Sequence, residues 1–301
     1  MFNRPACTWQ VFDRIAEYQP EKLLLIADGP RSDEEYEACR QARAVAEYVD
    51  WECEVLTNFS EQNLGMKRRE ISGFTWVFEL CDEAILLEDD TLPSRSFFPY
   101  CAELLQRFRS DDRVMMISGD NYCLNGTEVR DSYFCSKHPG TWGWATWRRA
   151  WQKYDERMTL WPSVRDTHWL EQAIGAVTSP EEWRARFDKT YLGHISTWDY
   201  QWVFTMWHNE TFSINPARNL VRNIGFGEGA THTAFNCPMS RFAANDLEFP
   251  LRHPTSITWS PDIDRKMFEG ERQLMREPIA RRMMRRGLGL GVRSMMKRLA
   301  S

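Results

Sequence analysis

Apolar positions along the first 120 residues follow two rhythms: short unbroken runs, and stretches in which every third or fourth residue is apolar. The first reads as a buried strand and the second as one face of a helix. Glu21–Ile26 carries an apolar run ending in Ala27-Asp28-Gly29-Pro30, which predicts a strand entering a loop. Ser32 and Glu35 have capping-box spacing. Behind them Ala38, Cys39, Ala42, Val45, Ala46 and Val49 repeat at helical intervals, predicting a helix over 33–49. A strand over Glu52–Leu56, a helix over 67–81 with Ile71, Phe74, Phe78 and Cys81 on one face, and a strand over Ala84–Leu87 continue the series. Pro93 and Ser94 predict the start of another helix, striped by Phe97, Phe98, Cys101, Leu104, Leu105 and Phe108, before a strand over Val114–Ile117.

Strand and helix in alternation predict an α/β fold: a mainly parallel, Rossmann-like sheet with helices on both faces, binding ligands beyond the carboxyl ends of its strands. Past Gly119 the rhythm is lost, and residues 142–207 hold ten of the fourteen Trp. With 301 residues the chain is long enough for a substantial core. We expect one domain over 1–260 and a tail over 261–301.

Charge separates these two parts. The net charge is -5, yet residues 265–301 carry 11 Lys/Arg against 3 Asp/Glu, or +8, leaving -13 for residues 1–264. In the tail, Met283, Met284, Leu288, Met295 and Met296 interleave with Arg281, Arg282, Arg285, Arg286 and Arg293, as in a basic amphipathic helix on anionic lipid. A solvated tail, or one packed on the acidic body, has the same composition. No apolar run approaches the roughly 20 residues that span a bilayer, and the amino end lacks signal-peptide features. The expected location is cytoplasmic, with peripheral contact at the inner face of the membrane. The eight Cys include no C-x-x-C pair and read as reduced thiols.

Four segments could carry chemistry. Glu88-Asp89-Asp90 follows a buried strand, where three adjacent carboxylates require water or a cation. Hard oxygen ligands on one turn suit Mg²⁺ or Mn²⁺, although a solvated acidic turn would read alike. Lys67, Arg68 and Arg69 stand in the first turn of a predicted helix, against its dipole, a conflict that an anionic ligand would resolve. Asn3, Arg4 and Asp28, at the same sheet edge, could hold a base or ribose. Asp199 lies between Trp198 and Tyr200, where desolvation would make it a better proton acceptor, or where it simply caps a helix. Three glycines between Asn223 and His232 suggest a loop closing on a diphosphate, with His232 as metal or phosphate ligand, or an ordinary loop with a surface His.

Together these residues resemble the GT-A glycosyltransferases, in particular the bacterial nucleotide-diphospho-sugar transferases related to glycosyltransferase family 2 and N-acetylglucosaminyltransferase I. The likeness covers most of residues 1–260. It rests on Asn3-Arg4-Pro5, Ala27-Asp28-Gly29, Asn63 to Arg69, Glu88-Asp89-Asp90, Ser118-Gly119-Asp120-Asn121, Gly140 to Trp144, Trp198-Asp199 and Asn223 to His232. It implies an inverting sugar transfer from a nucleoside diphosphate, a UDP-sugar above all, to a hydroxyl of a glycan or lipid-linked acceptor, with no nucleic-acid partner. Asp90 would then bind the metal directly, and Glu88 and Asp89 would serve the ribose and metal hydration. Asn3, Arg4, Asp28, Asn63 and Arg68 would contact the nucleotide, with Arg68 on the diphosphate. Trp142, Gly143 and Trp144 would line the sugar or acceptor pocket, and Asp199 would match the catalytic base.

One departure concerns the amino end. Relatives carry several apolar residues ahead of the segment matching Phe2-Asn3-Arg4-Pro5, so the first strand is expected to be truncated. Two other functions share parts of this pattern. Sugar-phosphate nucleotidyl transfer uses a similar sheet and carboxylates but opens with a Gly-rich basic loop that is not seen here. A weakened relative would bind nucleotide or glycan without turnover.

Overall fold

The computed structural model describes residues 1–123, 129–226 and 238–275. The chain opens with a helix that the alternation did not predict, α1 (Pro5–Tyr18), which starts on a Pro and buries Thr8, Val11 and Phe12 on one face. Strand β1 (Lys22–Ala27) buries alternate residues, Leu23, Leu25 and Ala27. Helix α2 (Asp33–Arg43) tightens into a 3₁₀ turn over Ala44–Tyr48 and leads to β2 (Glu54–Phe59). No side-chain cap comes from Ser32; the Glu35 carboxylate instead accepts from Arg31 N–H at 2.9 Å. Helix α3 (Met66–Leu80) and β3 (Glu83–Leu86) fall within a residue of expectation.

The expected helix start at Pro93 is wrong. Thr91–Pro93 forms β4, and α4 (Phe97–Phe108) begins at Phe97, after Asp246 Oδ1 has accepted from Ser96 N–H at 3.0 Å. Next come β5 (Val114–Ser118), β6 (Tyr133–Ser136) and β7 (Trp144–Trp147). Three short helices follow, α5 (Arg148–Trp151), α6 (Trp161–Val164) and α7 (Trp169–Ile174), then α8 (Pro180–Tyr191) and α9 (Asp199–His208). The described chain closes with β8 (Phe212–Pro216), β9 (Val221–Asn223), a 3₁₀ turn over Pro238–Arg241 and α10 (Pro261–Met275).

The fold is mixed α/β, and its sheets correct the expectation of a mainly parallel one. The main sheet has the order β3-β7-β5-β8-β6, flanked by the pairs β1-β2 and β4-β9. Four of the six pairings are antiparallel. Strands β3, β5 and β8 do run the same way, as alternation requires, but β7 inserts between β3 and β5 against both. That strand comes from the stretch past Gly119, where the sequence rhythm gives no guidance.

Helices do cover both faces of the main sheet. On one, Phe97, Cys101 and Leu104 of α4 meet Ile117, Ala145 and Ile214. On the other, Phe74 of α3 and Trp202 and Phe204 of α9 meet Met116 and Trp144. Each such large apolar side chain contributes about 1.5–3 kcal/mol on leaving water. Most of the central Trp are therefore core residues.

Two features at the edges bear on the site. Met1 lies along the free edge of β1, its ammonium donating to Ile26 O at 2.8 Å and its carbonyl accepting from Asp28 N–H at 3.0 Å. Helix α10 buries Asp264, Met267, Phe268 and Leu274, so residues 261–275 belong to the body rather than to a tail. The rest of the expected basic amphipathic tail, 276–301, lies outside the described residues. Among those described, no helix is long and apolar enough to cross a membrane, and all seven cysteines are free thiols.

Candidate active site

The turn after β3 is held by its own residues before it holds anything else. Thr91 Oγ1 donates to Glu88 O at 3.0 Å and accepts from Glu88 N–H at 2.9 Å, and β4 then pairs with β9. Glu88, Asp89 and Asp90 are thereby fixed at the mouth of the main sheet. Burial, reinforced by Glu70, Asp90, Asp89 and Asp199, pushes the Glu88 carboxyl well above its ordinary range. Glu70, projecting from α3, is pushed up to about 7 by burial, with Asp89 and Asp90 adding to the shift and the Met1 ammonium opposing it. Asp90 is raised by burial and by Asp89. Four carboxyl groups thus crowd a partly desolvated space, and Glu70, directly after three cations on α3, carries no local sequence signal that marks it as one of them.

Asp90 is the most enclosed of the four. Its Oδ2 takes Arg4 Nη1 at 2.6 Å, whereas Oδ1 is buried with no hydrogen-bond partner among the described residues. Arg4 is set there by its place at the start of α1. Asp89 Oδ2 accepts from Phe2 N–H at 2.8 Å. Above them the chain leaving β9 passes so closely that a Cβ on Gly225 would lie 1.9 Å from Asp90 Oδ2 and 2.4 Å from Arg4 Nη1. Only a glycine fits.

Asp199 begins α9. Its Oδ1 accepts from Thr197 Oγ1 at 2.5 Å and from Tyr200 N–H at 2.7 Å, and among the described residues Oδ2 has no hydrogen bond. Burial raises its pKa. The neighbouring Trp198, only 2% exposed, stacks on Trp144 at 5.4 Å and meets Phe74 edge-on at 5.0 Å. Such ring pairs add about 0.5–1.5 kcal/mol each beyond burial and fix where α9 starts.

The other expected residues divide. Both Asp28 oxygens are spent inside the protein, on the N–H groups of Gly29, Leu64 and Gly65 and on Asn63 Nδ2. Asn63 also donates to Gly29 O, so this pair shapes the loop before α3. Asn3 Nδ2 donates to Glu35 at 3.0 Å. Of the three cations, Arg69 is buried on Asn58, Lys67 pairs with Glu156 at 3.5 Å, and Arg68 is exposed without an ion pair or hydrogen bond among the described residues. Trp142 is half-buried, its ring T-shaped to Phe226 and its backbone N–H on Asp120 Oδ2 at 2.9 Å. Trp144 is a correction: at 2% exposure, between Trp198 and Phe74, it has no ring face left to line a pocket. Gly143 is buried too, its φ of +75° turning the chain into β7. His232 lies outside the described residues.

A second polar group adjoins Asp199. The buried His138 holds Glu271 of α10 at 3.0 Å, and among the described residues its Nδ1 has no partner. Asp120, fully buried, is pushed up to about 8 by burial, which the backbone N–H of Trp142 at 2.9 Å and the Tyr122 side chain oppose. Glu271 acts on both Asp120 and Asp199, which joins the two groups electrostatically.

Mg²⁺ or Mn²⁺ can be tested against this donor set. Among the described residues no three His, Cys, Asp or Glu side chains converge as a complete metal site. The orphaned Asp90 Oδ1 beside three more carboxyl groups nevertheless fits a cation anchored through one carboxylate, the mode these ions use when water and phosphate complete the shell. Two cavities, of about 240 and 200 Å³, lie elsewhere, one lined by Asp131, Arg218, Glu248 and Arg252, the other beside Arg43. The chain matches no family model and no curated protein.

Proposed function

We propose that this chain is an inverting, metal-dependent glycosyltransferase of the GT-A type, moving a sugar from a nucleoside diphosphate, in first place UDP, to a hydroxyl of a glycan or lipid-linked acceptor. One observation carries the reading: four crowded carboxyl groups at the end of β3, one with a buried, unpartnered oxygen, within electrostatic reach of a separately held Asp199. Buried carboxylate oxygens normally have a donor, and one left without it beside other carboxyl groups is costly unless a cationic ligand completes it.

In this reading Asp90 would hold Mg²⁺ or Mn²⁺, and Glu88, Asp89 and Glu70 would add negative charge to the same site. The ion supplies positive charge to the diphosphate oxygens when bound. Arg4, anchored on Asp90, and the exposed Arg68 add cations toward the same group. Asp199 Oδ2 takes the proton of the acceptor hydroxyl while Thr197 and Tyr200 fix Oδ1. The hydroxyl oxygen forms its bond to the anomeric carbon, and the electron pair of the breaking bond leaves with the diphosphate. Trp142 offers a half-exposed ring for the C–H face of a sugar. Work from the cytoplasmic face of a membrane suits a lipid-linked acceptor.

The test is a panel of nucleotide sugars with Mn²⁺, scored by nucleoside diphosphate release. Release that chelation abolishes supports the proposal, and pyrophosphate release would point to nucleotidyl transfer. A second reading, binding without turnover, is favoured by the Arg4 contact, which already neutralises Asp90. Saturable nucleotide binding with no release from any donor would favour it.

A further inference from the structure

We propose a second ligand site, apart from the carboxylate cluster: the cavity beside Arg43 takes a small organic anion with an apolar body. The cavity, about 200 Å³, is lined by α2, the 3₁₀ turn after it and the end of β2. It is smaller than sites for drug-sized molecules, at about 300–1,000 Å³, so the ligand has few heavy atoms.

Arg43 is the unusual wall. Its neighbours on α2 have carboxylate partners, Arg40 in Glu37 and, just ahead of the helix, Arg31 in Glu35. Among the described residues Arg43 has none. Glu47, four residues on and also lining the cavity, makes no ion pair with it. Arg43 Nη2 donates to the carbonyls of Asp28 and Ser60 at 2.9 and 2.6 Å, while among the described residues the enclosed Nε has no acceptor. The guanidinium lies over the Phe59 ring at 5.3 Å. Carbonyls carry no net charge, so among the described residues this cation has no counter-ion, which a bound carboxylate supplies.

Apolar walls of Cys39, Ala44, Ala46 and Phe59 select the rest of the molecule, with Tyr36 at the rim. They favour a compact hydrocarbon or aromatic acid over a bare oxyanion. The site also touches the loop before α3, because the Asp28 residue whose carbonyl binds Arg43 organises Asn63, Leu64 and Gly65 with its carboxylate.

Benzoate and inorganic phosphate are the probes, titrated calorimetrically into the full chain in excess chelator, so that no metal ion contributes. We expect saturable benzoate binding, tighter than phosphate and unchanged by Asp90→Asn. Arg43→Met should abolish it. Because that variant can fail to fold, Tyr36→Glu, at a side chain 62% exposed, provides the second measure: a new negative charge at the rim should weaken benzoate at least tenfold. Binding of phosphate alone, no saturable binding of either probe, or benzoate affinity unaltered in Tyr36→Glu would overturn the proposal. None of these results depends on sugar transfer, so the two proposals stand or fall separately.

Discussion

Arg4 Nη1 sits 2.6 Å from Asp90 Oδ2, while among the described residues the other oxygen of the same carboxyl group is buried without a partner. One half of Asp90 is thus neutralised by Arg4 and the other half has no donor there. Asp90→Asn keeps the shape and removes the charge. Because the change also takes the counter-ion from the largely buried Arg4, the melting temperature should fall, by about 0.5–3 kcal/mol of stability. Metal-dependent binding of a nucleotide sugar should fall by at least about tenfold, or about 1.4 kcal/mol. Calorimetry with and without Mn²⁺ measures both, and equal donor affinity in the variant would remove Asp90 from the metal role.

Asp199 makes a different prediction, because its two oxygens have different tasks. Oδ1 is tied to Thr197 and Tyr200 and Oδ2 is not, so Asp199→Asn can retain the helix start while losing proton acceptance. Donor binding should be unchanged and the transfer rate should drop by about 10²–10⁴-fold. A full single-turnover rate in the variant would rule out Asp199 as the base.

The acidic turn and Asp199 were legible in the sequence because each sits at the boundary of a periodic segment: Glu88 to Asp90 after an apolar run, Asp199 at the head of a Trp-rich helix. Glu70 was hidden. It sits on a helix face that only the docking of α3 turns toward β3, and no local pattern reports docking. The helix α1 was missed although Thr8, Val11, Phe12 and Ile15 recur at intervals of three and four, a signal the reading could have used. Asp28 misled in the opposite way, since an acid at a strand tip reads alike whether it faces a ligand or four donors of its own loop. Antiparallel β7 was out of reach for a further reason. Its four residues, buried throughout, show no alternation, and their direction follows from long-range pairing with β3 and β5.

Gly225 tests whether the chain leaving β9 is part of the same site. A methyl group there would overlap both Asp90 Oδ2 and Arg4 Nη1, so Gly225→Ala must push the chain outward or break the ion pair. Strain of this kind costs about 1–3 kcal/mol. The expected result is a lower melting temperature together with weakened donor binding. A control at Gly193, where a Cβ meets nothing within 4 Å but φ is +74°, should lose stability without losing the donor. Normal donor affinity in Gly225→Ala would separate this segment from the carboxylate cluster.

Asp120 gives the chain a pH dependence of defined sign. Its folded pKa is pushed up to about 8 by burial, against an unfolded value of about 3.9. Between these values the folded state binds the extra proton, so this group's contribution is complete below the lower pKa and is lost as pH rises toward the upper one. His138, raised by Glu271, acts in the same direction above its own unfolded value, while Glu271, lowered by His138, acts oppositely at acid pH. Stability of the wild-type chain should therefore fall from pH 5 to pH 8. In Asp120→Asn the decline should flatten, because the amide keeps the Trp142 contact and cannot ionise. Urea midpoints across that range measure the slope. An identical slope in the variant would mean that Asp120 is ionised in the folded chain and does not contribute to the decline.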